Sequence, residues 1–198
     1  MIVNTAYYYK ESEMKEFYRL NVAGLERDLP LCKLNDKLKI AAFVIFGDPE
    51  LTTACAAALL RLAPEYDYVI TAEAKGIPLA HEMARLDGNR RYLLARKAPK
   101  LYMKNIHEVT VRSITTAREQ KLYIDSEDAA RMKGKRILIV DDVISTGESL
   151  RALEQLVESA GGVICGRMAV LAEGDARDRD DIIYLEKLPL FDSEGNEI

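Results

Sequence analysis

Arg136-Ile137-Leu138-Ile139-Val140-Asp141-Asp142-Val143-Ile144-Ser145-Thr146-Gly147-Glu148-Ser149 is the stretch that decides the fold. Four apolar residues, Ile137 to Val140, read as a strand buried on both faces. Two adjacent carboxylates follow, then a short turn rich in hydroxyls and glycine, then a helical pattern at Leu150, Leu153, Leu156 and Val157 that Gly161-Gly162 stops. Strand, acids, turn and helix in that order form the edge at which a parallel sheet holds a phosphorylated ligand. Successive amides and the hydroxyls of Ser145, Thr146 and Ser149 are suited to cradle one phosphate, and Gly147 permits a turn that a β-carbon resists. Asp141 and Asp142 fall where the strand is expected to run out, as carboxylates facing solvent and ligand. Their mutual repulsion calls for a cation, donor hydroxyls or water.

Upstream, the same grammar repeats. Tyr68 to Thr71 reads as a strand, and Ala72-Glu73-Ala74-Lys75-Gly76 leads into a helix over Ile77 to Leu86. Tyr92 to Ala95 is another short strand, ended by Arg96-Lys97. Three polar exits at one sheet edge, two of them basic, suit a ligand with several phosphates. Pro49 opens a helix through Leu51 to Ala63, where its missing amide hydrogen costs nothing. Val109 to Val111 and Leu122 to Ile124 read as strands flanking 113–121, and Val163 to Leu171 as a further strand. Glu13 to Arg27 has helical spacing, with Met14, Tyr18, Val22 and Leu25 on one face. Leu29 to Cys32 and Leu38 to Phe46 read as strands about the turn Asn35-Asp36. The sum is an α/β chain, an open and mostly parallel sheet flanked by helices, with a protruding antiparallel element.

Length and composition set the outer bounds. The 198 residues, 48% apolar and 30% charged, suit one globular core. A net charge of -4 argues against general affinity for nucleic acid. From Arg85 to Lys121, however, ten basic residues face three acids, either a solvated face or a field for an anionic ligand. Cys32, Cys55 and Cys165 have no metal-ligand spacing and read as buried small residues of a reducing compartment. With no secretory signal and no apolar run long enough to span a bilayer, a cytoplasmic protein without membrane contact is expected. His81 and His107 are single histidines without catalytic partners. The apolar patch Leu188 to Phe191, in an acidic tail, is expected to pack back onto the domain.

Ile137 to Ser149 closely resembles the phosphoribosyl-pyrophosphate signature of the type I phosphoribosyltransferases: a hydrophobic strand, two acids, a variable pair and a threonine-glycine loop. Glu73-Ala74-Lys75-Gly76 resembles that family's pyrophosphate loop, which implies a cis peptide at Ala74-Lys75. Arg96-Lys97 and the region from Pro99 to Gln120 resemble its mobile catalytic loop. The resemblance spans most of Ile40 to Leu171 and is nearest the purine branch. It implies a core over 40–172, with hood contributions from 1–39 and 173–198, and base contacts from Leu29 to Asn35 or Glu173 to Leu190. It also implies that Lys75, Gly76, Arg96, Lys97 and Lys100 hold the pyrophosphate. Asp141 and Asp142 would engage the ribose and Mg2+, and Val143 to Ser149 the 5-phosphate. Asp141, Asp142 and Lys97 are the implied catalytic groups, Asp142 the nearer proton or charge partner, and a homodimer the implied assembly. Glu148 stands where many members carry glycine.

The implied reaction is transfer of ribose 5-phosphate to a purine, with release of pyrophosphate. Arg96 to Leu101 resembles the adenine enzymes, so adenine is the expected base, whereas Ser113 to Gln120 looks more like the xanthine type. The alternatives are a xanthine, hypoxanthine or guanine enzyme, or a non-catalytic regulator that senses phosphoribosyl pyrophosphate. The residues before Ile40 show no helix-turn-helix pair, which disfavours a DNA-binding regulator.

Overall fold

The structure, a computed structural model, describes residues 17–112 and 119–198. Its first elements are three strands, β1 (Phe17–Val22), β2 (Leu25–Lys33) and β3 (Leu38–Ala41), followed by α1 (Pro49–Leu60), β4 (Tyr68–Ala72), α2 (Gly76–Leu86) and β5 (Leu93–Ala95). A ribbon of β6 (His107–Arg112) and β7 (Glu119–Ile124) leads to α3 (Ser126–Met132), β8 (Arg136–Ile144), α4 (Glu148–Ser159) and β9 (Val163–Glu173). A 3-10 turn, Gly174–Asp178, precedes β10 (Ile183–Leu188) and β11 (Leu190–Asp192).

Three sheets result. The central one has five strands in the order β10-β9-β8-β4-β5, and every neighbouring pair is parallel. Its middle strand explains the continuous apolar run: Leu138 and Val140 enter one core with Leu51, Leu59 and Met83 of α1 and α2, while Ile137 and Ile139 enter the other with Leu153 and Leu156 of α4. Burial on both faces removes the polar alternation that a one-sided sheet shows. The hood is a four-stranded antiparallel sheet, β1-β2-β3-β11. The third sheet is the β6–β7 ribbon, joined to the end of β5 through an Arg96–Tyr123 bridge.

Several expectations change. The helix expected over Glu13 to Arg27 is, in its described part, the β1–β2 hairpin; Glu13 to Glu16 lie outside the described residues. Leu20 and Val22 alternate inward, and the turn residues Ala23 and Gly24 have φ of 52° and 79°. Two consecutive positive φ values make the twist that a tight hairpin needs and a helix forbids. The strand expected to reach Phe46 stops at Ala41; the Ala42 amide still donates to the Pro30 carbonyl of β2 at 2.9 Å, and the chain then leaves the sheet. Cys32 is exposed and Cys165 partly so, leaving Cys55 as the buried thiol. Helix α1 forms as the sequence demands, with Asp48 accepting from the Leu51 amide at 2.9 Å and Pro49 next to the cap. That cap is worth about 1 kcal/mol.

The apolar tail finds two targets. Strand β10 adds to β9 in the central sheet, and β11 pairs with β3 in the hood, burying Leu188 and Phe191.

Candidate active site

At the carboxyl ends of β4, β8 and β9 lies a cleft of about 530 Å³. The hood segment from Ile40 to Val44 forms one wall, and Ala72 to Lys75 with Asp141 to Val143 the other. A smaller recess beside it is lined by Ser145 to Leu150, and Ser145 and Ser149 belong to both.

Strand β8 continues through both acids to Ile144, longer than the expected four-residue run, with Asp141 opposite Ala169 and Val143 opposite Leu171 of β9. The acids are therefore fixed by the sheet, not by a loop. Alternation then separates them. Asp142 is buried, its carboxylate 4% exposed, where a solvent-facing group was expected; Lys75 Nζ approaches it at 2.6 Å. Asp141 remains partly accessible and accepts from the Asp142 amide at 2.9 Å. Burial, and then the neighbouring Asp142 charge, raise the Asp141 carboxyl well above the ordinary aspartate value.

Turn residues Ser145 to Gly147 lead directly into α4. Gly147 has φ of 75°, and a β-carbon there would come 2.9 Å from Arg179 Nη1. Arg179 was missed in the sequence because it lies in the tail. Its Nε and Nη2 are held by Asp181 at 2.8 and 2.7 Å, which turns the guanidinium toward the loop.

The second loop is crowded with its own charges. Its cis peptide is Glu73-Ala74, one bond earlier than expected. Glu73 accepts from Arg96 Nη1 at 2.6 Å and from the Lys97 amide at 3.0 Å, with Lys100 Nζ at 3.8 Å. The Lys97 hydrogen bond, then Arg96, outweigh burial and hold the Glu73 carboxyl below the ordinary glutamate value. Arg96 also donates to Tyr102 Oη at 2.6 Å. Gly76 is required by close approach: a β-carbon would sit 2.1 Å from Thr71 Oγ1 and 2.9 Å from Asp141 Oδ1.

Of the residues singled out in the sequence, Lys75, Lys97, Asp141, Asp142, Val143, Ser145 and Ser149 line the main cleft. Thr146, Gly147 and Glu148 line the recess, and Ile144 contributes there from the end of the strand. Arg96 and Lys100 reach the site through Glu73, and Gly76 underlies it. Within the basic run, Arg85, Arg90 and Arg91 are paired with Glu82, Asp87 and Asp128, while Lys97 lines the cleft. His107 bonds Ser159 Oγ at 2.8 Å and His81 packs edge-on against Tyr92, so both are structural. Of the expected cover, 113–118 lie outside the described residues.

A magnesium ion would not find a closed protein cage: among the described residues no group of three or more acids, histidines or cysteines converges. It would find a carboxyl desolvated at the cleft and, next to it across Gly76, the buried and unpartnered Thr71 hydroxyl. One or two carboxylates with most ligands left to substrate oxygens is the usual way this ion is held, and the residues fit it.

A family model described as phosphoribosyl transferase domain matches residues 52–190. The hypoxanthine/guanine phosphoribosyltransferase of Ferroglobus placidus is 31% identical over 133 residues, 67% of each chain. The adenine phosphoribosyltransferase of Bifidobacterium longum subsp. infantis is 32% identical over 62% of each. Relatives named for hypoxanthine and guanine predominate among these matches, which span about two thirds of the curated proteins' own length. The crystal structure of the adenine phosphoribosyltransferase of Thermoanaerobacter pseudethanolicus superposes with a TM-score of 0.62 at 21% identity, covering 89% of this chain and 98% of that one. At that identity the likeness is one of fold. Among the described residues no helix is long and apolar enough to cross a membrane.

Proposed function

The chain belongs to the phosphoribosyl transferase domain family, and from that premise we propose that it transfers ribose 5-phosphate from phosphoribosyl pyrophosphate to a 6-oxopurine, releasing pyrophosphate. The observation that carries this reading is the single cleft in which the acids of β8, the hydroxyl turn before α4 and the basic second loop meet. The sequence pattern around Arg96 favours adenine. Against it stand the relatives near 30% identity, most of them named for hypoxanthine and guanine, whereas the adenine-named solved structures support the fold alone.

In this reading Ser145 to Ser149 bind the 5-phosphate through hydroxyls and the opening amides of α4. Asp141 and Asp142 orient the ribose hydroxyls. Lys75, Arg96, Lys97 and Lys100 hold the pyrophosphate, which requires Lys75 to leave Asp142 and Arg96 to leave Glu73. Carbon one of the ribose gains cationic character as its bond to pyrophosphate breaks, and in this reading the Asp142 carboxylate offsets that charge. The base nitrogen then bonds that carbon and gives its proton to the departing pyrophosphate or to water. Little covalent work falls to the protein, and alignment of base and sugar supplies much of the rate. Bound Mg2+, held by Asp141 and Asp142, would neutralise charge on the departing pyrophosphate.

Incubation with phosphoribosyl pyrophosphate, Mg2+ and single bases tests the reading. Matched pyrophosphate and nucleotide with guanine or hypoxanthine supports it. Turnover of adenine alone overturns the base assignment. Binding of phosphoribosyl pyrophosphate without product from any base overturns transfer and leaves a sensor.

A further inference from the structure

One acid in the cleft has a side chain with no partner among the described residues. Glu173 ends β9 opposite Leu188 of β10, and both line the same cleft as Phe43 of the hood and Val143 of β8. It is half-buried, and desolvation, countered only by the more distant Lys75 charge, raises its carboxyl above the ordinary glutamate value of 4.5. The other three cleft carboxylates are engaged: Asp142 by Lys75, Glu73 by Arg96, and Asp141 by the Asp142 amide. Among the described residues the Glu173 carboxylate has no hydrogen bond and no ion pair. An acid desolvated without a partner costs stability, which marks it as placed for something that binds. Its surroundings say what. Val44 is exposed and Val143 partly so, with the almost fully buried Phe43 and Leu188 in the same lining, an apolar wall of the kind on which a planar ring packs.

We propose that Glu173 determines base specificity by accepting from the 2-amino group and the N1–H of guanine, a role that rests on the 6-oxopurine reading above. An ionised carboxylate only accepts hydrogen bonds, and two parallel donors match its two oxygens. Guanine alone among the common 6-oxopurines presents that pair. Hypoxanthine retains N1–H and lacks the amine. Xanthine places a carbonyl where guanine has its amine, so two acceptors face each other across a partly dry site. Adenine offers its 6-amino group beside an N1 that carries no proton, which leaves one carboxylate oxygen against an acceptor. Rejection in the last two cases comes from repulsion, which discriminates more sharply than a missing methylene does.

The experiment compares kcat/KM for guanine, hypoxanthine, xanthine and adenine in the full-length protein and in Glu173→Gln. The amide keeps the shape and puts a donor in reach of the xanthine carbonyl. We expect the wild type to favour guanine over xanthine, and the ratio to fall at least about tenfold in the variant, with the KM for phosphoribosyl pyrophosphate unchanged. An unchanged ratio, or equal losses for every base, overturns the role of Glu173 and leaves the 6-oxopurine reading standing. Turnover of adenine alone by the wild type overturns that reading, and this inference with it. Should the variant fail to fold, calorimetry on the wild type decides the matter: GMP must bind more tightly than XMP, and equal affinities end the proposal.

Discussion

The two loops that face the cleft from the same sheet edge are in opposite states. The turn before α4 presents hydroxyls and amides, with Arg179 held behind Gly147 by its own acid. The loop after β4 has its charges already spent on one another, Lys75 on Asp142 and Arg96 on Glu73. In the proposed reading the first is ready for a phosphate. The second must exchange internal partners for ligand oxygens, so an anion arriving there replaces interactions instead of adding them. A preformed site sets affinity, and an exchanging one sets what the ligand must carry to be held.

The most damaging way to disturb this contrast is Asp142→Asn. It removes the carboxylate while leaving Lys75 nearly half exposed to water. Turnover is expected to fall about a hundredfold or more, with a small change in melting temperature; steady-state rates and a thermal melt measure both. Next, Glu73→Gln should free Arg96 and tighten pyrophosphate binding several-fold in calorimetry, with ribose 5-phosphate affinity unaltered. Equal gains for both ligands would mean that the two loops are not distinct. The same variant reports on acid stability. Since folding lowers the Glu73 carboxyl below 4.5, its contribution is present above that pH and vanishes as pH falls through the folded value. Denaturant melts of wild type and Glu73→Gln should therefore differ near neutrality and converge in acid. On the preformed side, Gly147→Ala forces a β-carbon at positive φ and toward Arg179. It should cost about 1 kcal/mol in a denaturant melt. Smallest is Arg179→Gln, expected to raise the KM for phosphoribosyl pyrophosphate a few-fold without altering base preference.

Local chemistry was the legible part of the sequence. The unit from Arg136 to Ser149 announces itself because strand, acids, turn and helix are consecutive, and each needs only its neighbours to form. The hood was illegible for the opposite reason. Tyr18, Val22 and Leu25 satisfy a helical period as well as a strand pairing, and only Ala23-Gly24 decides between them. The pairing of Leu190 with Ile40 joins opposite ends of the described chain and leaves no local trace. The expected base-contacting stretch, Glu173 to Leu190, does reach the cleft, though by its two ends, Glu173 and Leu188. The burial of Asp142 is not legible, because a sequence cannot show which alternate residue of a strand meets a lysine from another loop.

Pro189 is the single residue between β10, in the central sheet, and β11, in the hood. Two layers joined by so short and stiff a corner are braced like the walls of a box, and neither swings freely against the other. If the base binds beside Leu188 as proposed, it meets a rigid gauge, and what it fails to match it cannot bend.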